Sequence, residues 1–116
     1  MPIQSRYIFT AAMDVDPAKE ALFHEVYDTE HVPLLAKVPG VIAVARFKLE
    51  PATMMLGGER RALVAEGEPR FSAVYELESP DVLLTAAWAK AGEEGRWAAQ
   101  VRPFTSNRRH TMRLKI

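Results

Sequence analysis

Residues 71–78, FSAVYELE, alternate without a break. Phe71, Ala73, Tyr75 and Leu77 share one face, and Ser72, Val74, Glu76 and Glu78 the other. A two-residue period of this kind belongs to a strand covered on one side. Ser79-Pro80-Asp81 then reads as a helix start. Ser79 caps free backbone N–H groups and Pro80 takes the first helical position, where no N–H is needed. Helical material, VLLTAAWAKA, runs to about residue 91. Gly92 and Gly95 interrupt it before RWAAQ, and a last strand begins near 105, beyond Pro103.

The same succession opens the chain. Residues 3–13 alternate, with Tyr7, Phe9 and Ala11 opposite Ile8, Thr10 and Ala12. Asp14 or Asp16 caps a helix over 17–37, with Pro17 in its first turn and the stripe Ala18, Leu22, Val26, Thr29 expected against the sheet. Pro39-Gly40 ends that helix, and VIAVARFKL, 41–49, forms the second strand. Two β-α-β units in series predict a single α+β domain over residues 1–116. It is a ferredoxin-like split β-α-β with a four-stranded antiparallel sheet and both helices on one face. The connection 50–69 is long for this topology and predicts a short helical turn or a flap, with Met54-Met55-Leu56 placed to cover the mouth of a cleft. Helices cover only one face, yet the strands carry apolar groups on both. A second copy is therefore expected on the open face, giving a homodimer and a dimeric α+β barrel.

Composition excludes several chemistries. The chain has no cysteine, so disulfides, thiolate catalysis and cysteine-held metals are absent. No stretch approaches the roughly 20 apolar residues of a membrane helix, and the N-terminus has no secretory pattern, so no membrane partner and a cytoplasmic location are expected. Net charge is zero, which argues against nucleic acid as a partner. No phosphate loop, dinucleotide fingerprint or nucleophile elbow occurs, and Gly57-Gly58 lacks the context of one.

The chemistry-bearing stretch is YDTEHVPLLAKVPGV, 27–41. On a helical wheel His24, Tyr27, Asp28 and His31 cluster away from the Leu22/Val26 stripe. Pro33 frees the Thr29 carbonyl and bends the axis there. His31 is the candidate general acid or base, and Asp28, a turn away, the group that orients its ring. The alternative is a half-exposed helix histidine bonded to backbone or water. His24, Asp28 and His31 stand at i, i+4, i+7, but three ligands from one helix rarely converge and no HExxH occurs, so no metal is expected. Haem would need an axial histidine over a flat apolar slot. His31 and His110 are the available rings, neither in a haem-specific context, so no cofactor is expected. Phe9 and Tyr75, with Tyr7 and Phe104, are candidate pocket walls, or else core filling. Trp88 reads as core, and Trp97 as a ring able to pack across a dimer. Arg102 and Arg109 are candidate anchors for a carboxylate or enolate oxygen.

With YDTEHVPLLAKVPGV, FSAVYELESPD and WAAQVRPF in place, nearly the full chain resembles the EthD-like group of dimeric α+β barrel proteins. The resemblance implies relatives that include cofactor-independent monooxygenases, isomerases, polyketide cyclases, dehalogenating and haem-handling proteins. The EthD-like group itself is implied in degradation or biosynthesis of organic compounds. Its acid-x-x-His-x-Pro pattern lines or borders the cleft, matching Asp28, His31 and Pro33. Segment 51–69 departs from the short connection expected there. The resulting expectation is a homodimer binding a small organic molecule, acting without cofactor on a carbonyl or phenolic compound through acid–base chemistry at His31. Catalytic residues would be His31 and Asp28, and ligand-binding residues Tyr27, His24, Tyr75, Phe9 and Arg109. The alternative is a non-catalytic ligand-binding or assembly homodimer.

Overall fold

The structure, a computed structural model, describes residues 4–63 and 65–116. Strand β1 (Tyr7–Val15) leads through a 3-10 turn (Pro17–Lys19) into the first helical arm. That arm comprises α1 (Glu20–Val26), a wide π turn (Tyr27–His31) and α2 (Val32–Ala36). Strand β2 (Val41–Lys48) follows, then β3 (Thr53–Leu56), β4 (Glu59–Ala62) and β5 (Phe71–Leu77). A 3-10 turn (Pro80–Leu84), α3 (Ala86–Glu93), a second π turn (Trp97–Val101) and β6 (Thr105–Leu114) complete the chain. Four antiparallel strands form one sheet in the order β2-β5-β1-β6, the ferredoxin-like topology.

The expected barrel does not form. The sheet is open, with β2 and β6 as its two edges. Four strands fall well short of the roughly eight that close round a filled interior. Of the two expectations for 50–69, the helical turn does not form among the described residues. Residues 53–62 make a separate two-stranded hairpin whose side chains are exposed, so Met54-Met55-Leu56 cover no cleft. Gly57 and Gly58 sit at φ +62° and +82°, the positive pair that a tight hairpin turn requires.

The alternation read in FSAVYELE holds: Phe71, Ala73, Tyr75 and Leu77 are all buried. They meet Phe9, Ala11 and Met13 of β1 under the helices. Ser79 accepts from the N–H of Asp81, as a helix cap should. Among the described residues, no helix is long and apolar enough to cross a membrane.

The first arm differs from a regular helix. Its buried side is Phe23, Val26, Tyr27, His31 and Leu35, while Ala18 and Thr29 of the expected stripe are exposed. At about 100° per residue, a four-residue spacing drifts by about 40° each step, which would carry residues 23, 27, 31 and 35 off one face. The π turn winds less per residue and holds them in line. The Val32 N–H reaches back five residues to the Tyr27 carbonyl. The following residue, Pro33, has no N–H to give, and its ring crowds the carbonyl four back, so a wider turn relieves the clash. The second π turn repeats the device: Arg102 N–H bonds the Trp97 carbonyl, and Pro103 follows.

Candidate functional site

The two π turns face each other across the helical layer. Glu30 accepts from the Arg96 backbone N–H at 2.9 Å and from its Nε at 2.6 Å, and Arg96 also reaches Glu25 at 3.0 Å. This latch sets the next residues of both turns ring on ring. His31 stacks on Trp97 with centroids 4.3 Å apart and planes 20° from parallel, and Tyr27 stands edge-on to both.

A cleft of about 180 Å³ opens beside this stack, between the two arms and the β6 side of the sheet. Phe9, Ala11 and Met13 from β1 and Tyr75 from β5 form its floor. Trp88 closes on Phe9 and Tyr75 edge-on at 5.9 and 5.3 Å. His110 lies flat against Phe9, 5.8 Å away at 6°. Arg102 and Arg108 bring positive charge to the same space. Arg102 is committed: it holds Glu93 at 3.0 Å and the Gly92 carbonyl at 3.1 Å.

His31 is 7% exposed, and its Nδ1 is sealed without a hydrogen-bond partner among the described residues. Burial, reinforced by Arg102 and Arg108 and opposed by Glu93, holds its pKa down at about 4. The ring is therefore neutral at neutral pH. Burial also raises the Tyr27 and Tyr75 phenols, which share a hydrogen bond. Burial and Arg108 lower His110. The cleft thus combines an apolar, ring-lined floor with neutral polar groups and two arginines, of which Arg102 is fixed.

Of the residues singled out from sequence, the structure gathers His31, Tyr27, Tyr75 and Phe9 around this cleft. Asp28 and His24 lie elsewhere, both tied to Arg46 of β2. Its Nη1 donates to Asp28 at 2.6 Å and its Nη2 to His24 Nδ1 at 2.9 Å. A guanidinium only donates, so His24 carries its proton on Nε2, which faces Glu20 at 3.7 Å. Asp28 makes no bond to His31. Arg46 also covers the Tyr27 ring at 4.5 Å, so it separates this pair from the cleft. Arg109 is on the opposite sheet face from His110, bonded to Glu68 and the Gly67 carbonyl.

Sequence reasoning gave no site role to Trp97, Arg46 or Arg108. The signal for Arg108 was present: a period of two from His110 puts residue 108, not 109, on the ring-lined side. No comparable signal pairs Trp97 with His31, because that contact joins two turns distant in sequence. Among the described residues no cluster of three or more His, Asp or Glu side chains could hold a metal ion.

No family model matches the chain, and no curated protein matches its sequence. Solved structures match the fold. A mutant of MhuD with two manganese protoporphyrin IX molecules bound per active site aligns over 95% of this chain and 93% of its own, at 13% identity and a TM-score of 0.61. The haem-degrader MhuD from Mycobacterium tuberculosis, with two haems in its active site, aligns over 95% of both chains at 14% identity and 0.60. An ethyl tert-butyl ether D (EthD) family protein from Bacillus halodurans aligns over 95% of this chain and 99% of its own, at 14% identity and 0.58. At such identities the likeness shows the ferredoxin-like fold alone.

Proposed function

We propose that this chain binds a small planar organic molecule in the cleft beside His31, and that His31 exchanges or shares a proton with a carbonyl or phenolic oxygen of that ligand. The observation that carries the reading is the neutral, buried His31 imidazole held on Trp97 at the wall of a ring-lined cleft. Because Nδ1 is sealed, Nε2 is the nitrogen left to meet a ligand. Tyr27, Tyr75 and Phe9 supply the apolar surround. The EthD-like helix pattern supports the same location, with His31 in the motif position and Asp28 given over to Arg46.

The porphyrins bound in the MhuD structures, haem and manganese protoporphyrin IX, do not suit this cleft. About 180 Å³ is below the roughly 300–1,000 Å³ of sites for drug-sized ligands. A single aromatic ring suits the space better.

The test is a screen of monocyclic phenols and ketones followed by NMR at the Trp97 indole N–H. Binding that shifts this signal, with turnover lost but binding kept in His31→Ala, supports an enzyme. Loss of affinity alone supports a binding protein, and no shift with any compound refutes the cleft reading.

The outer sheet face favours a partner as well. Ile8, Ala43, Ala45, Phe47 and Val74 line an apolar hollow of about 380 Å³ there, with Phe47 56% exposed. We propose that a second copy covers this face of the open sheet. Sedimentation at the monomer mass of 13.0 kDa at micromolar concentration would refute it.

A further inference from the structure

Arg108 is the cation of the cleft without a commitment. Arg102 is held by Glu93 and a carbonyl, Arg109 by Glu68, and Arg46 by Asp28. Arg108 forms no hydrogen bond or ion pair with any described residue, and it lines the cleft with His31 and His110.

The backbone is shaped to put it there. The β1–β6 register jumps between Ala12 and Asp14, so a bulge at 107–108 opposes Met13. Asn107 sits at φ +50°, the one non-glycine residue in the left-handed region among those described. Its Nδ2 is pinned to Asp14 Oδ2 at 3.1 Å and to the Gly67 carbonyl at 3.0 Å. Asp14 in turn accepts the Arg70 N–H at 2.7 Å. Three segments thus hold the bulge beside which Arg108, two residues before His110, lies on the helix-facing side. Bulges that re-aim one side chain are a recurrent device beside ligand sites, and a strained residue held by its surroundings points the same way.

We propose that the cleft takes a small aromatic carboxylate, with its carboxylate on Arg108 and its ring on Phe9 and the His31–Trp97 stack. This rests on the cleft reading above and narrows it to one ligand class. A guanidinium matches a carboxylate through two parallel N–H donors. Phe9, Tyr75 and Trp88 accept a planar ring, and the fixed charge of Arg102 adds to the field that draws an anion in.

The test titrates benzoate, benzamide and acetate into the chain, following the Trp97 indole N–H by NMR. Benzoate should bind on the order of ten-fold or more tightly than benzamide, which keeps the ring without the charge. Acetate, with the charge and no ring, should bind more weakly than benzoate. Arg108→Gln should remove the benzoate advantage and leave benzamide unchanged, and Arg108→Lys should restore part of it. Arg108 is exposed, so these variants fold. Equal binding of benzoate and benzamide would overturn the anion site and leave the cleft reading standing. Absence of any shift with all three would overturn both.

Discussion

Glu30 and Arg96 are joined through the backbone N–H, through Nε and through Nη2, and each lies one residue before a ring of the His31–Trp97 stack. The two halves of the molecule are therefore registered at the cleft itself. The Arg96 backbone hydrogen bond, with its guanidinium, also holds the Glu30 carboxyl below the usual range.

Gly95 is the weak point of that latch. It sits at φ +73°, and an added Cβ would lie 2.5 Å from Glu30 Oε1. Gly95→Ala should lose on the order of 1–2 kcal/mol from backbone strain and displace the carboxylate. Urea unfolding measures the first effect. Indole emission of Trp97 in a Trp88→Phe background should change with the second, and unchanged emission would count against the latch.

His31 should make stability depend on pH. Its pKa is about 4 in the fold against an ordinary 6.5, so between these values the unfolded chain takes up a proton that the folded chain refuses. Stability is full above pH 6.5, falls as pH drops towards 4, and loses on the order of 3 kcal/mol across that window. Denaturant melts of the chain and of His31→Phe from pH 7 to 4 should differ in slope there. Parallel curves would contradict a neutral buried ring.

The Tyr27–Tyr75 pair should behave as a unit. Removing one hydroxyl leaves the other buried and short of a partner, costing about 1–3 kcal/mol. Tyr75→Phe alone should destabilise more than its area change implies, and the double Tyr27→Phe/Tyr75→Phe chain should lose less than the two single losses combined. Strict additivity in urea melts would mean the hydroxyls do not interact.

Asn107 separates backbone shape from side-chain bonding. Asn107→Gly keeps the positive φ while losing the bonds to Asp14 and Gly67. Asn107→Val must also strain the chain by about 1–3 kcal/mol. Val should therefore be the less stable of the two in thermal melts, with the Arg108 signals moved; equal stabilities would indicate that the bulge relaxes.

Much of the fold was legible because its signals are local. FSAVYELE shows its buried face by alternation, and Ser79-Pro80-Asp81 marks a helix start through a cap and a missing N–H. The barrel expectation failed because closure is a relation between edge strands, which no single segment encodes. Gly57-Gly58 carried a hairpin signal that was read only as a failed phosphate loop. At the site, His31, Tyr27, Tyr75 and Phe9 were visible as residue types. The pairing of Asp28 with His31 was not sound geometry: Asp28 points to Arg46, because β2 delivers a guanidinium beneath it. Trp97 was invisible as a partner of His31 because the wide turns that bring them together follow from two prolines acting through tertiary packing.

The open sheet leaves two backbone rails unpaired, and their charge decides how copies of this chain meet. Neither β2 nor β6 contains an acid, while β2 carries Arg46 and Lys48 and β6 carries Arg108, Arg109 and Arg113. A chain of zero net charge has little long-range repulsion to keep it dispersed. Local repulsion takes over at the rails, where Lys48 on β2 and Arg108 and Arg113 on β6, which pair with no acid among the described residues, set cation against cation on strand-to-strand approach. Fibre growth by edge addition is thereby discouraged at both ends of the sheet.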